Sequence, residues 1–292
     1  MREILVISGK GGTGKTSLTG AFAQLSSNKV ICDLDVDAPD LHILLDPVVE
    51  REEDFISGHE AVIDPDKCTA CGTCADMCRF EAVRVNGQAY AIDPLRCEGC
   101  KVCVAFCPAE AISFPDKNCG KWYISRTRFG PMVHAQLHPG EENSGRLVTL
   151  LKQQAKEIAK NNGLELILCD GTPGIGCPVI SSLAGTHLAV VVTEPTPSGR
   201  HDLERVVQLC EYFRTKVVVI INQFDLNPEE ADRIEAYCQA KGFEVVARLP
   251  YDAVVTRAMV QRKVITEMPD SPLAKTLGQV WSKIEEIAGL KG

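Results

Sequence analysis

Residues 4–25, ILVISGKGGTGKTSLTGAFAQL, decide how this chain is read. Ile4 to Ser8 is a short β-branched run that reads as a buried strand, and SLTGAFAQL reads as a helix. Between them Gly9, Lys10, Gly11, Gly12, Thr13, Gly14, Lys15 and Thr16 satisfy G-x-x-x-x-G-K-[ST], with the strand and helix where that pattern needs them. The glycines let successive backbone N–H groups turn towards one anion, and the helix N-terminus adds partial positive charge. Lys15 is then placed for the β and γ phosphates of a nucleotide and Thr16 for a magnesium ion, with Ser17 beside them.

Outward from this loop the same rhythm continues. KVICD (29–33), LELILCD (164–170), HLAVVVT (187–193), KVVVIIN (216–222) and FEVVARLP (243–250) are apolar runs separated by helix-length segments. Such runs are strands buried on both faces of a parallel sheet, so the expected fold is α/β, doubly wound and mostly parallel. Carboxylates close two of these strands: Asp33 and Asp35 in VICDLDVDAP, and Asp170 in LILCDGTPGIG.

The rhythm stops between Ser57 and about Asp116, where the chain repeats itself. Cys68, Cys71, Cys74 and Cys78 have C-x2-C-x2-C-x3-C spacing, and Cys97, Cys100, Cys103 and Cys107 repeat it. So small a segment, poor in long apolar runs, needs a staple such as a metal to fold. It reads as an insertion, giving expected parts of 1–57, 58–118 and 119–292. Paired C-x2-C units also suit tetrahedral zinc, but three close cysteines with a remote fourth, given twice, fit an iron–sulfur cubane better. No clean periodicity is visible from Cys119 to Gly145, and His134 and His138 there read as loop histidines.

The chain has 292 residues, 45% of them apolar, with 14 cysteines and a formal charge of -8. That charge leaves no electrostatic footprint for nonspecific nucleic-acid binding, so none is expected. The strand-like start leaves no room for a secretory leader, and no apolar run is long enough to span a bilayer, so a cytoplasmic protein without stable membrane insertion is expected. The C-terminal LAKTLGQVWSKIEEIAGL spaces Leu273, Leu277, Val280, Trp281 and Ile284 along one helical stripe, expected to dock on the core.

The K-G-G-x-G-K-T form of the loop resembles the deviant Walker A family of MinD, ParA, the nitrogenase iron protein and the Mrp-type iron–sulfur scaffold ATPases. The resemblance implies an ATPase that dimerises with itself or a paralogue, with Lys10 reaching the partner's nucleotide. It implies that Asp33 and Asp35 form a switch that holds magnesium and positions water, Asp35 being the water-positioning choice. Asp170 then stands as the Walker B carboxylate, and Asn222 and Pro250 line the adenine. Lys10, Lys15 and Asp35 are the expected catalytic residues, and Thr16, Asp33, Asp35 and Asp170 the expected magnesium set.

The cysteine runs resemble a bacterial two-cluster ferredoxin, in which the fourth cysteine of each run ligates the other cluster. This implies one [4Fe-4S] cluster on Cys68, Cys71, Cys74 and Cys107 and a second on Cys78, Cys97, Cys100 and Cys103. Arg79 stands where the pattern usually has proline, as Pro108 does in the second run. The leading expectation is an ATPase coupling nucleotide state to electron transfer or cluster handling with a redox or cluster-accepting partner. The alternatives are a metallocofactor assembly ATPase and a MinD/ParA-like spatial organiser.

Overall fold

The computed structural model describes residues 1–141, 144–268 and 270–290. The chain begins with β1 (Arg2–Ile7), α1 (Lys15–Leu25), β2 (Lys29–Asp33), α2 (Leu41–Leu45) and the long β3 (Val48–His59). Short elements follow: β4 (Val62–Ile63), α3 (Thr73–Met77), β5 (Val83–Asn86), β6 (Ala89–Ile92), α4 (Val102–Ala105) and β7 (Ile112–Ser113). Next come β8 (Asp116–Thr127), β9 (Gly130–Leu137), α5 (Ser144–Asn162), β10 (Leu166–Asp170) and α6 (Cys177–Leu183). The chain closes with β11 (Leu188–Thr193), α7 (Pro197–Tyr212), β12 (Lys216–Asn222), α8 (Pro228–Lys241), β13 (Glu244–Leu249), α9 (Val254–Val260) and α10 (Pro272–Ala288).

The chain divides into two compact units, one of Met1–Glu53, Trp122–Gln136 and Ser144–Gly292, the other of Asp54–Lys121 and Leu137–Asn143. The second unit is longer at both ends than the expected 58–118 and takes in residues 137–143, because its boundaries fall inside the strands β3, β8 and β9.

In the first unit the sheet runs β13-β12-β11-β1-β10-β2-β9-β8-β3. From β13 to β9 every neighbour pair is parallel. β1, β10, β11 and β12 are buried along nearly their whole length, as their continuous Val and Ile runs require when helices cover both faces. One face is filled by Ile4, Val6, Leu168 and Val190 against Phe22 of α1 and Trp281 of α10. The Trp281 ring stacks on Phe22 with centroids 5.1 Å apart, so the apolar stripe of α10 is spent on the core. Among the described residues no helix is long and apolar enough to cross a membrane.

The stretch from Cys119 to Gly145 corrects the reading above, since most of it is strand. Trp122, Tyr123, Ile124 and Ser125 lie on β8, a turn at Arg128–Phe129 folds the chain back, and β9 carries Met132 and Val133 into register with Ile31 and Cys32 of β2. His134 is a buried strand residue rather than a loop histidine, with Nε2 2.8 Å from Ser125 Oγ. Burial and the neighbouring His42 push its pKa down to about 4, so it sits there neutral. Glycines and prolines surround it, and Met132, Val133, His134 and Ala135 are buried in succession, so no period-2 alternation marked the strand in the sequence.

The second unit is small and duplicated. Its hairpin β5–β6 and the antiparallel pair β4–β7 accompany the short helices α3 and α4. The repeat extends to the backbone: left-handed φ values recur at Ala70 and Gly99 (53° and 60°), Gly72 and Lys101 (81° and 66°), and Glu81 and Glu110 (52° and 48°). Its buried apolar cluster is slight, with Ala61, Cys74 and Ile112 at the centre and Ile63, Tyr90, Ile92 and several cysteines packed around them.

Candidate functional site

Parallel pairing gathers the site. Register sets Val6 beside Asp170 and Asp170 beside Asp33, so two carboxylates end adjacent strands at the edge where the loop after β1 begins. This is the end of a parallel sheet at which ligands bind. Gly14 takes φ 88° to enter α1, and a Cβ there would lie 2.5 Å from Asn222 Nδ2. Asn222 donates from that atom to the Thr13 carbonyl oxygen at 2.8 Å, bracing the loop from the end of β12.

Lys15, buried, points into the carboxylates: Nζ is 3.0 Å from Asp170 Oδ1 and 3.5 Å from Asp35 Oδ2. Burial lowers its pKa, but the charges of Asp170, Asp35 and Asp33 oppose that and leave it raised. The Thr16 hydroxyl donates to Asp170 Oδ2 at 2.8 Å and Thr19 donates to Oδ1 at 2.8 Å. Asp33 is fully buried, and burial followed by the Asp170 charge pushes its pKa well above the usual carboxylate range. Burial likewise lifts Asp35 to about 6, against the pull of Lys15.

Three carboxylates thus face one ammonium, an imbalance that a divalent cation corrects. Asp33 Oδ2 and Thr13 Oγ1 are both buried without a hydrogen-bond partner among the described residues, as atoms that receive a cation and a phosphate would be. Among the described residues no three carboxylates converge on one point, so Thr16, Asp33, Asp35 and Asp170 could hold a magnesium ion only with waters completing its shell, where its chemistry would be to neutralise phosphate oxygens as charge shifts among them. Beside them opens a cavity of about 1230 Å³, lined by Gly11, Gly12, Thr13, Asp35, Thr172 and Met259 among others. Asp37, Thr172, Val255 and Met259 are site residues that the motifs did not single out. Only Asp37 and Thr172 carried a signal, each lying within two residues of a motif carboxylate.

A second cavity of about 510 Å³ adjoins the loop and includes Gly14, Ser17, Asn222, Gln223, Pro250 and Tyr251. Asn222 and Pro250 both line it. Asp225, which with Asn222 has the N-x-x-D spacing of a guanine reader, instead accepts the Tyr251 N–H at 2.7 Å. Gly9 packs against α7, where a Cβ would meet Asp202 at 2.4 Å. Lys10 lies within its own chain, its Nζ 2.6 Å from a Glu194 carboxylate oxygen and 3.2 Å from Ser198 Oγ.

The eight cysteines of the two runs divide between two further cavities. One, of about 320 Å³, is lined by Cys68, Cys71, Cys74 and Cys107, and the other, of about 380 Å³, by Cys78, Cys97, Cys100 and Cys103. The fourth cysteine of each run thus faces the first three of the other. Ala82 N–H donates to Cys78 Sγ at 3.4 Å and Ala111 N–H to Cys107 Sγ at 3.3 Å, the same contact one repeat apart. Among the described residues no three His, Cys, Asp or Glu side chains converge on a single metal ion. One ion draws its donors to about 2.0–2.3 Å from a point, whereas a multi-iron cluster keeps four thiolates apart around itself. Soft thiol donors, N–H groups aimed at sulfur and a hollow between four cysteines fit such a cluster. Cys119 is buried, with Sγ 3.0 Å from the Ser57 carbonyl oxygen. Cys177 is exposed at the start of α6.

Comparison with known proteins gives a consistent result. The profile of the CobQ/CobB/MinD/ParA nucleotide binding domain matches residues 4–265. An uncharacterised protein of Methanocaldococcus jannaschii, MJ0578, is 31% identical over 98% of this chain and 97% of its own. Among solved structures, the septum site-determining protein MinD of Pyrococcus horikoshii, complexed with Mg-ADP, superposes with a TM-score of 0.59 at 16% identity, covering 100% of this chain and 98% of that one. The MinC:MinD cell division complex of Aquifex aeolicus gives a TM-score of 0.57 at 17% identity over 98% and 96% of the two chains.

Proposed function

Since the chain belongs to the CobQ/CobB/MinD/ParA nucleotide-binding family, we propose that it is a magnesium-dependent ATPase working as a nucleotide-controlled switch. The observation that carries this is the gathering of Lys15, Thr16, Asp35 and Asp170, with Lys15, Thr16 and Asp35 lining an open cavity and Asp33 Oδ2 buried without a partner among the described residues. In this reading Gly9 to Thr16 wrap the phosphates and Lys15 leaves Asp170 for the γ phosphate. Asp35 orients the attacking water. Its raised pKa leaves it ionised above about pH 6, where it can accept a hydrogen bond from that water.

Adenine is favoured over guanine because Asp225 is engaged with Tyr251, which takes one acceptor oxygen from a guanine edge. Lys10 leaves Glu194 to meet the nucleotide of a second copy or a paralogue. The test is phosphate release with ATP and magnesium, together with the mass of the particle in ATP and in ADP. An ATP-dependent dimer that Lys10→Ala abolishes is the expected result, and tighter binding of GTP than ATP overturns the base assignment.

For the output of the switch, the neighbours named for septum siting and cell division favour a MinD/ParA-like organiser over a redox role. That reading predicts ATP-dependent cosedimentation with vesicles or DNA. A second reading, in which the switch governs iron–sulfur clusters, rests on this chain's own residues, the two cavities each lined by four cysteines. There Cys68, Cys71, Cys74 and Cys107 hold one cluster and Cys78, Cys97, Cys100 and Cys103 the other, which would supply one-electron chemistry. Anaerobic purification followed by EPR of the reduced protein, with and without ATP, separates the two readings.

A further inference from the structure

Ser8 and Gly11 line the larger nucleotide cavity, whereas the Lys10 side chain between them extends to the start of α7. Its Nζ lies 2.6 Å from Glu194 Oε1, 3.2 Å from Ser198 Oγ and 3.5 Å from Thr196 Oγ1. An ammonium has three protons to donate and accepts nothing. Three oxygens of its own chain therefore fill the hydrogen-bonding capacity of Lys10.

Both sides of this contact are held in place. Thr196 caps α7, its Oγ1 accepting the Gly199 N–H at 2.9 Å, and the same hydroxyl donates to Glu194 Oε1 at 3.3 Å. The helix cap thus sets the carboxylate in position. On the loop side the Ser8 hydroxyl donates to the Lys10 carbonyl oxygen at 2.8 Å. One residue earlier, Gly9 lies so close to α7 that a Cβ would meet Asp202 at 2.4 Å. The Lys10 and Glu194 side chains are 33% and 20% exposed, so water screens their attraction only in part.

We propose that Glu194 is an autoinhibitory latch, which keeps Lys10 within its own chain until a second nucleotide-loaded copy draws it across. The inference rests on reading Lys10 as the residue that reaches a partner's nucleotide. One ammonium cannot serve both places, because Glu194, Ser198 and Thr196 together take up its protons. Glu194 supplies the charge of the contact, while the two hydroxyls supply direction. Each copy must open its own contact before the pair closes, so the latch acts twice per dimer. A partly exposed ion pair resists opening by about threefold, and two of them hold the dimer back by roughly tenfold. Glu194 is thus a positioning residue, acting through Lys10 and touching no substrate.

The test uses the full chain with magnesium and AMPPNP, a triphosphate that resists hydrolysis, and reads particle mass by sedimentation across a range of protein concentrations. Glu194→Gln keeps the shape of the side chain and removes its charge. The variant is expected to dimerise at about a tenfold lower concentration than wild type, and added salt narrows the gap by screening the wild-type pair. Binding of a fluorescent ADP to the monomer stays as in wild type, which a merely structural loss at the loop would not allow. Should Glu194→Gln fold poorly, Ser198→Ala removes one of the three acceptors and shifts dimerisation the same way by less. Wild type that stays monomeric while the variant dimerises is the same latch held more tightly. A variant that dimerises at the wild-type concentration, or only at a higher one, overturns the latch alone. If neither protein dimerises, the reading of Lys10 fails and this inference fails with it.

Discussion

The nucleotide unit fills both faces of a wide parallel sheet with Val, Ile and Leu, while the cysteine unit has at its centre only Ala61, Cys74 and Ile112 and the residues around them. In the first, the charged groups of the site already answer one another, Lys15 against Asp170 and Asp35. In the second, the cysteines line hollows. The contrast separates two ways of building a site. A large core holds its functional side chains in place before any ligand arrives, whereas a segment below the size for a self-sufficient core leaves part of its folding energy to the group it binds.

The two units can be broken separately. Replacing Lys15 with Ala is expected to lower ATP hydrolysis about a thousandfold or more, measured by phosphate release, while leaving iron content unchanged. Joint loss would show that the units do not load independently. If the two cysteine sets hold clusters, Cys107→Ser should remove one of the two, so iron per chain falls to roughly half, with ATP affinity intact. A zinc-bound protein of unchanged metal content would refute the cluster assignment. Trp281→Ala empties the stack on Phe22 and should cost about 3–5 kcal/mol of stability in chemical denaturation. An equal cost in the iron site's own unfolding transition would contradict the separation.

Asp35→Asn tests the electrostatics. A carboxyl whose folded pKa lies above its unfolded value favours the folded state while protonated. That contribution is present below about pH 4 and lost as pH rises through about 6. The variant should therefore gain on the order of 2 kcal/mol over wild type at pH 7 without magnesium or nucleotide, and nothing near pH 4, while hydrolysis is lost. A destabilised variant at pH 7 would mean that the Lys15 pairing outweighs burial. The smallest effect belongs to Asn222→Ala, which removes the brace on the Thr13 carbonyl and should cost about 1 kcal/mol together with a several-fold weaker nucleotide affinity.

Much of this was legible before any coordinates. The loop from Gly9 to Thr16 announced itself because phosphate binding needs contiguous glycines and a lysine at fixed offsets, and the buried strands because parallel sheets require unbroken β-branched runs. Local spacing likewise exposed the cysteine duplication. Harder to see were β8 and β9, whose glycine and proline neighbours obscured the strand pattern, and the burial of His134 and Cys119 that follows from it. Val255 and Met259, far along the chain from the loop they help enclose, left no local mark.

Spacing alone therefore determined the chemistry available to this protein, since a motif is a set of donors held at short chain separations. Which groups meet was decided by the tertiary structure. Register brought Asp33 beside Asp170, the end of β12 placed Asn222 over Thr13, and Asp225 was taken by Tyr251. In the cysteine unit, packing brought the fourth cysteine of each run to the first three of the other. These are contacts between residues far apart in the chain, and they arise from packing, which no local pattern encodes.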